Sequence, residues 1–151
     1  MDWKKETKKH IKRVKELLGG VEAELCLKGN SHDASKLKEP EAPVFAEYTS
    51  KLKDSTYNSP EYKQFLSEMK PALDHHYVNN PHHPEHFKNG IKGMSLIDLT
   101  EMLCDWKAAS ERHNDGSIDK SLKENKKRFG ISDDLMSILT NTAKEMGWIK
   151  K

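Results

Sequence analysis

Apolar residues in this chain recur at intervals of three and four and nowhere alternate with polar residues for long. Intervals of three and four keep side chains on one face of a helix, whereas a strand needs a period of two. β-Branched residues are scattered rather than clustered, so no segment carries a strand signal. The expected class is therefore all-α, with about six to seven helices. A length of 151 residues fits a single domain spanning 1–151, and no repeat, low-complexity stretch or long linker divides it.

The periodicity predicts a first helix from about Asp2 to Leu18, with Trp3, His10, Val14, Leu17 and Val21 on one stripe and Ile11 and Leu18 beside it. Gly19-Gly20 is the expected break, followed by a short helix over Val21–Leu27 that Gly29 ends. A short turn of helix is expected over Ser31–Lys36. Another follows Pro40 and Pro43 and runs to Lys53. Ser59-Pro60-Glu61 has the order of an N-cap, a first-position proline and a first-turn acid. The helix it opens carries Tyr62, Phe65, Leu66, Met69, Leu73 and His76 inward, with Pro71 as a kink. Residues 78–94 read as a loop. Ser95 and Asp98 form a capping box with Asp in place of Glu, opening a helix to about Asn114, and Asp115-Gly116 makes a turn. Two C-terminal helices within 118–146 complete the chain, the second capped by Ser132.

Charge and cysteine content narrow the function classes. The net charge is only +2, which gives no strong nucleic-acid signal. Lys4, Lys5, Lys8, Lys9, Lys12, Arg13 and Lys15 do cluster, and a solvated helix face is the plain reading of that run. The two cysteines, Cys26 and Cys104, sit among apolar residues and are expected to be buried free thiols. No signal peptide and no membrane-length apolar stretch is visible, so a soluble cytoplasmic protein without membrane contact is expected.

Histidine placement carries the chemistry. Five of the eight histidines, His75, His76, His82, His83 and His86, fall within twelve residues, which packing does not explain. Imidazole is a common ligand for transition metals. His10 lies on the apolar stripe of the first helix, as either a hydrogen-bonded core residue or a ligand. His32-Asp33 sits at a helix start, as a cap or as a ligand pair. Asp98, Glu101, Asp105 and Arg112 share one face of their helix, and Asp105 has the apolar neighbours Leu103, Cys104 and Trp106. An acid in such surroundings is paired, metal-bound or neutral. His82-x-x-Glu85-His86 matches a zinc-protease string, but Pro84 opposes the helical geometry that string needs.

In chain order these residues are His10, His32-Asp33, His76, His82-His83 and Asp105. The order resembles the H…HD…H…HH…D signature of the HD-domain superfamily of metal-dependent phosphohydrolases. Lys36, three residues after Asp33, is similar to the lysine of its HDxxK variants. His32-Asp33-Ala34-Ser35 is similar to the corresponding stretch of bacterial HD 5'-deoxynucleotidases. HDASK, the histidine before NPHH, and MLCDW together resemble a family of small phage and bacterial HD-like proteins. The resemblance covers roughly residues 8–115.

The resemblance implies an HD-like helical bundle. It implies one divalent ion (Mn, Co, Ni, Zn, Fe or Mg) on His10, His32, Asp33 and Asp105, with His76, His82 and His83 available to a second. It implies catalytic roles for Asp33 and Lys36, with Lys36 and Arg112 contacting the substrate. The spacing from His76 to His82 is shorter than in dinuclear members. The nucleotidases' acid after the His-Asp pair has only Glu39 and Glu41 near its position. The implied activity is hydrolysis of a nucleotide or related small phosphate ester. The alternatives are a di-iron oxygenase of the HDxxK type and a non-catalytic metal- or nucleotide-binding phage or bacterial protein.

Overall fold

The computed structural model describes residues 2–56, 59–112 and 116–149. Among these, seven α-helices and three 3-10 turns make up the regular structure, without a strand. The helices are α1 (Trp3–Ser31), α2 (Glu41–Asp54), α3 (Pro60–Glu68), α4 (Lys70–Asn79), α5 (Leu96–Ser110), α6 (Ile118–Phe129) and α7 (Asp133–Glu145). The all-α class expected from periodicity holds. No helix among the described residues is long and apolar enough to cross a membrane.

The cap signals act where the sequence puts them. Ser59 accepts from the Tyr62 N–H and Ser132 from the Leu135 N–H. Ser95 and Asp98 form a complete capping box at the start of α5. Gly130 adopts the left-handed conformation that ends α6, with φ of 60°. Pro71 divides what periodicity reads as one helix into α3 and α4, with Met69 closing the first and preceding the second. The 78–94 stretch is less irregular than expected: α4 runs to Asn79, and 3-10 turns follow at Pro84–His86 and Gly90–Gly93. α5 closes at Ser110; Asn114 and Asp115 lie outside the described residues.

Two expectations fail. Gly19-Gly20 does not break the chain, and α1 is one helix of 29 residues. The glycines with positive φ are Gly90, Gly130 and Gly147, so Gly19 and Gly20 keep ordinary helical geometry. Both cysteines are exposed rather than buried. Cys26 lies on α1, which buries no residue, and Cys104 lies on the open side of α5.

The apolar core lies at the C-terminal end. Leu103 of α5, Ile118 and Leu122 of α6, Ile131, and Leu139 and Ala143 of α7 form it, flanked by Trp106, Phe129 and Trp148. Toward the N-terminal elements the interior changes character. Met69, Ala72, Leu99 and Met102 are buried there, together with the polar Glu41, His76, Asn80, His82 and Asp98. Buried polar groups persist only when they are satisfied. That polar interior is where the candidate site lies.

Candidate metal centre

Four segments converge. The end of α1 delivers His32, and Asp33 follows in a left-handed conformation with φ of 54°. Aspartate tolerates this region better than most residues. The turn that follows, Ala34–Leu37, is held by a Lys36 N–H bond to the Asp33 carbonyl. α4 buries Ala72 and His76, with Asn80 four residues further on. Pro81 cannot extend the α4 hydrogen-bond ladder, and the chain turns so that His82 is buried and His83 partly so. α5 contributes Glu101 and Asp105, one turn apart on a single face.

The imidazoles are held by carboxylates from behind. His32 Nδ1 donates to Glu101 Oε1 at 2.9 Å, and His82 Nδ1 donates to the same oxygen at 3.0 Å. His76 Nδ1 donates to Glu41 Oε2 at 2.9 Å, and Glu41 is fully buried. An ionised carboxylate only accepts, so each Nδ1 carries the proton and each Nε2 presents a lone pair. Those Nε2 atoms face Asp33: His76 Nε2 is 3.3 Å and His82 Nε2 3.4 Å from Oδ1, and His32 Nε2 is 3.6 Å from Oδ2. His83 Nε2 is 3.0 Å from His76 Nε2. Asp105 Oδ1 is 3.5 Å from His32 Nε2.

Asp33 Oδ1 and His82 Nε2 are buried without a hydrogen-bond partner. Two orphaned buried acceptors facing each other are costly unless something positive lies between them. Ligand atoms about 2.1 Å from one ion lie roughly 3.0–3.4 Å apart at octahedral to tetrahedral angles, close to the separations here. The donors fall into two overlapping groups, Asp33-His76-His82-His83 and His32-His82-Asp105, each with ligand atoms within 4.8 Å of one another. Nitrogen and carboxylate donors suit Zn, Fe, Mn, Co or Ni.

Electrostatics favour the ionised form of Asp33 and the neutral form of His83. Burial pushes the Asp33 carboxyl up, but the polar and cationic surroundings, with Lys36 Nζ bonded to Oδ2, hold it well below the usual carboxylate range. Burial, then repulsion from His82 and His76, pushes His83 down to about 2. Burial raises Glu41 as well, and the bonds from His75, His76 and Ser35 bring it below its ordinary value.

A family model described as a family of unknown function (DUF5662) matches residues 1–145. The chain belongs to that family. No curated protein and no solved structure matches it. The match spans every residue of this DUF5662 chain's cluster.

Of the residues selected from sequence, the structure brings together His32, Asp33, His76, His82, His83 and Asp105. Lys36 lies beside them, with Nζ 2.6 Å from Asp33 Oδ2 and 5.1 Å above the Phe45 ring. His10 is not among them. It is exposed on α1, and 22 residues of unbroken helix put it about 33 Å along the axis from His32. The sequence expectation needed the chain to turn back at Gly19-Gly20, and it does not. Arg112 is not part of the cluster: it lies past the end of α5, exposed, without an ion pair to the cluster. His86 bonds the Tyr77 carbonyl at 2.8 Å, and His75 is half exposed against Glu41 Oε1 at 2.7 Å.

Glu41 and Glu101 are what sequence reasoning missed as site residues. Glu101 was visible as a member of the α5 acidic stripe, yet nothing local says that it bonds two imidazoles. Glu41 stood out only for lying near the position of the nucleotidases' acid, and nothing local says that it bonds His75 and His76. A groove of about 430 Å³ between the end of α1 and α5 opens onto the cluster at His32, Glu101 and Asp105, with Leu25, Cys104 and Ala108 among its lining residues.

Proposed function

We propose that this chain is a metal-dependent phosphohydrolase acting on a nucleotide or related small phosphate ester. The observation that carries it is the backing of His32, His76 and His82 by buried carboxylates while their Nε2 atoms turn toward an orphaned Asp33 oxygen. Imidazoles oriented through their other nitrogen are the usual construction of a metal site.

Asp33, His76, His82 and His83 would hold the ion, with His32 and Asp105 on the groove side of the cluster. A divalent ion so held lowers the pKa of water and withdraws charge from phosphorus. The groove side admits substrate, because Asp105 keeps a quarter of its side chain exposed and His32 nearly a third. Lys36 is a cation within reach of an anion bound at Asp33, and a third of its side chain is exposed. Its swing from Asp33 Oδ2 to a phosphate oxygen would neutralise charge developing on the ester. Hydrolysis adds water to phosphorus and breaks the ester P–O bond, and the proton of that water passes to the departing oxygen.

Metal analysis of the purified protein, followed by release of inorganic phosphate from a panel of nucleoside mono-, di- and triphosphates, tests the reading. Metal near one or two equivalents with turnover abolished by chelator is expected. Stoichiometric metal with no turnover on any phosphate ester would remove the enzymatic reading and leave a metal-binding protein. Absence of metal after loading would overturn both.

A further inference from the structure

The N-terminal three-quarters of α1 buries no residue. Every described residue from Asp2 to Glu24 is exposed, and α1 meets the body only near its end, through Leu25, Lys28 and His32 against α5. Those 22 residues from Trp3 make about 33 Å of free helix. Helices in proteins draw most of their stability from packing of an apolar face, which this stretch lacks, and Gly19 and Gly20 each cost roughly 0.8–1 kcal/mol against alanine. The exposed apolar residues concentrate here: of twelve large hydrophobics exposed among the described residues, seven lie on α1. Trp3 is 69% exposed, Ile11 60% and Leu18 63%. Concentration on one element marks an interaction surface, whereas scatter would not.

The pattern on that surface is regular. Ile11, Val14, Leu18, Val21 and Leu25 follow steps of 3, 4, 3 and 4. That alternation has the a/d spacing of a two-stranded coiled coil over about two heptads. Charge selects the direction. Residues 4–15 hold seven cations and Glu6, a net of +6, whereas residues 16–31 hold Glu16, Glu22, Glu24 and Lys28, a net of −2. A parallel pair would stack two lysine-rich ends on each other, and an antiparallel pair sets each against the acidic half of its neighbour. Glu101 and Asp105 of α5 extend that acidic end.

We propose that α1 pairs antiparallel with α1 of a second copy of this chain. The seam has a self-consistent register when facing residues sum to 32: Ile11 meets the partner's Val21, and Val14 meets the partner's Leu18. The same register carries the partner's Trp3 to Gly29, on the wall of the groove beside the candidate metal centre. Each copy then covers one edge of the other's groove, an isologous arrangement with a single two-fold axis.

Sedimentation equilibrium of the full chain at micromolar concentration tests association. A mass of twice 17.4 kDa is expected for the wild type, and 17.4 kDa for Val14→Glu combined with Leu18→Glu. Helix signal and thermal unfolding of the α5–α7 core should persist in that variant, because neither residue packs on the body. A monomeric wild type overturns the proposal, including a monomer that gains helix only on vesicles of anionic lipid. Mild oxidation in a Cys26→Ser, Cys104→Ser background tests direction. Ile11→Cys with Val21→Cys should give a covalent dimer and Ile11→Cys alone should not; a covalent dimer from Ile11→Cys alone means parallel pairing and overturns the register, and no covalent dimer from the double variant overturns it too. The metal reading plays no part in these measurements.

Discussion

Glu41 and His76 are both sealed from solvent and meet at 2.9 Å between Oε2 and Nδ1. A buried carboxylate so placed orients the ring and raises its basicity as a ligand. Glu41→Gln keeps the shape and removes the charge. It should lower metal affinity by about 10- to 100-fold with modest loss of fold stability, read by competition with a chromogenic chelator. Glu41→Ala removes the carboxylate shared by His75, His76 and Ser35 and should cost about 3 kcal/mol or more in chemical denaturation. Unchanged affinity in the Gln variant would show that His76 needs no orienting partner.

Histidine variants separate the structural ligand set from the one implied by resemblance. His82→Ala removes a donor shared by both groups of potential ligands and should abolish or halve the bound metal. His10→Ala should leave metal content unchanged, since His10 is exposed far along α1. Loss of metal in His10→Ala would mean that α1 folds back or that a neighbouring copy supplies this ring.

Metal should stabilise the fold. The N-terminal interior is polar, and its orphaned acceptors gain a partner only when a cation is present. At a free concentration of 100 times the Kd the gain is about 2.7 kcal/mol. For a chain of this length that is roughly a 5–10 °C rise in Tm. Differential scanning fluorimetry with and without chelator measures it, and an identical Tm at saturating metal counts against the site.

Lys36 separates substrate contact from structural pairing. With phosphate contact in the transition state, Lys36→Ala should keep metal content and Tm nearly intact and lower kcat/KM by about 10²-fold or more. If the bond to Asp33 is its whole role, stability falls and turnover per folded molecule does not.

Asp98 ties α5 to α1. It completes the capping box with Ser95 and pairs with Lys28 Nζ at 3.0 Å. Burial pushes its carboxyl up, but the Ser95 backbone N–H, Lys28 and the Ser95 hydroxyl outweigh it and bring it below its ordinary value of 3.8. A carboxyl depressed in the folded state stabilises above the unfolded value, and that stability is lost as pH falls through the folded one. Asp98→Ala should therefore cost about 1–2 kcal/mol near neutral pH, and the gap from wild type should close below pH 3.8. Urea denaturation across pH gives both numbers.

Local chemistry was enough for the helices, because hydrophobic period, Ser caps and proline positions act within one or two turns. The all-α class, the capping box at Ser95 and Asp98, and the start of α3 at Pro60 follow from such signals. His32, Asp33, His76, His82, His83 and Asp105 were legible as candidates because clustered histidines and an acid in an apolar neighbourhood demand an explanation. Tertiary structure decided the rest. Whether α1 turns at Gly19-Gly20 is not set by the pair itself, since two glycines permit a break without requiring one, and the unbroken helix removed His10 from the cluster. Glu41 lies 35 residues from His76, and Glu101 lies 69 from His32 and 19 from His82, so their bonds have no local signature. Cys26 and Cys104 stand among apolar residues in the chain yet face outward, because a helix turns adjacent residues about 100° apart and neighbours in sequence do not share a face.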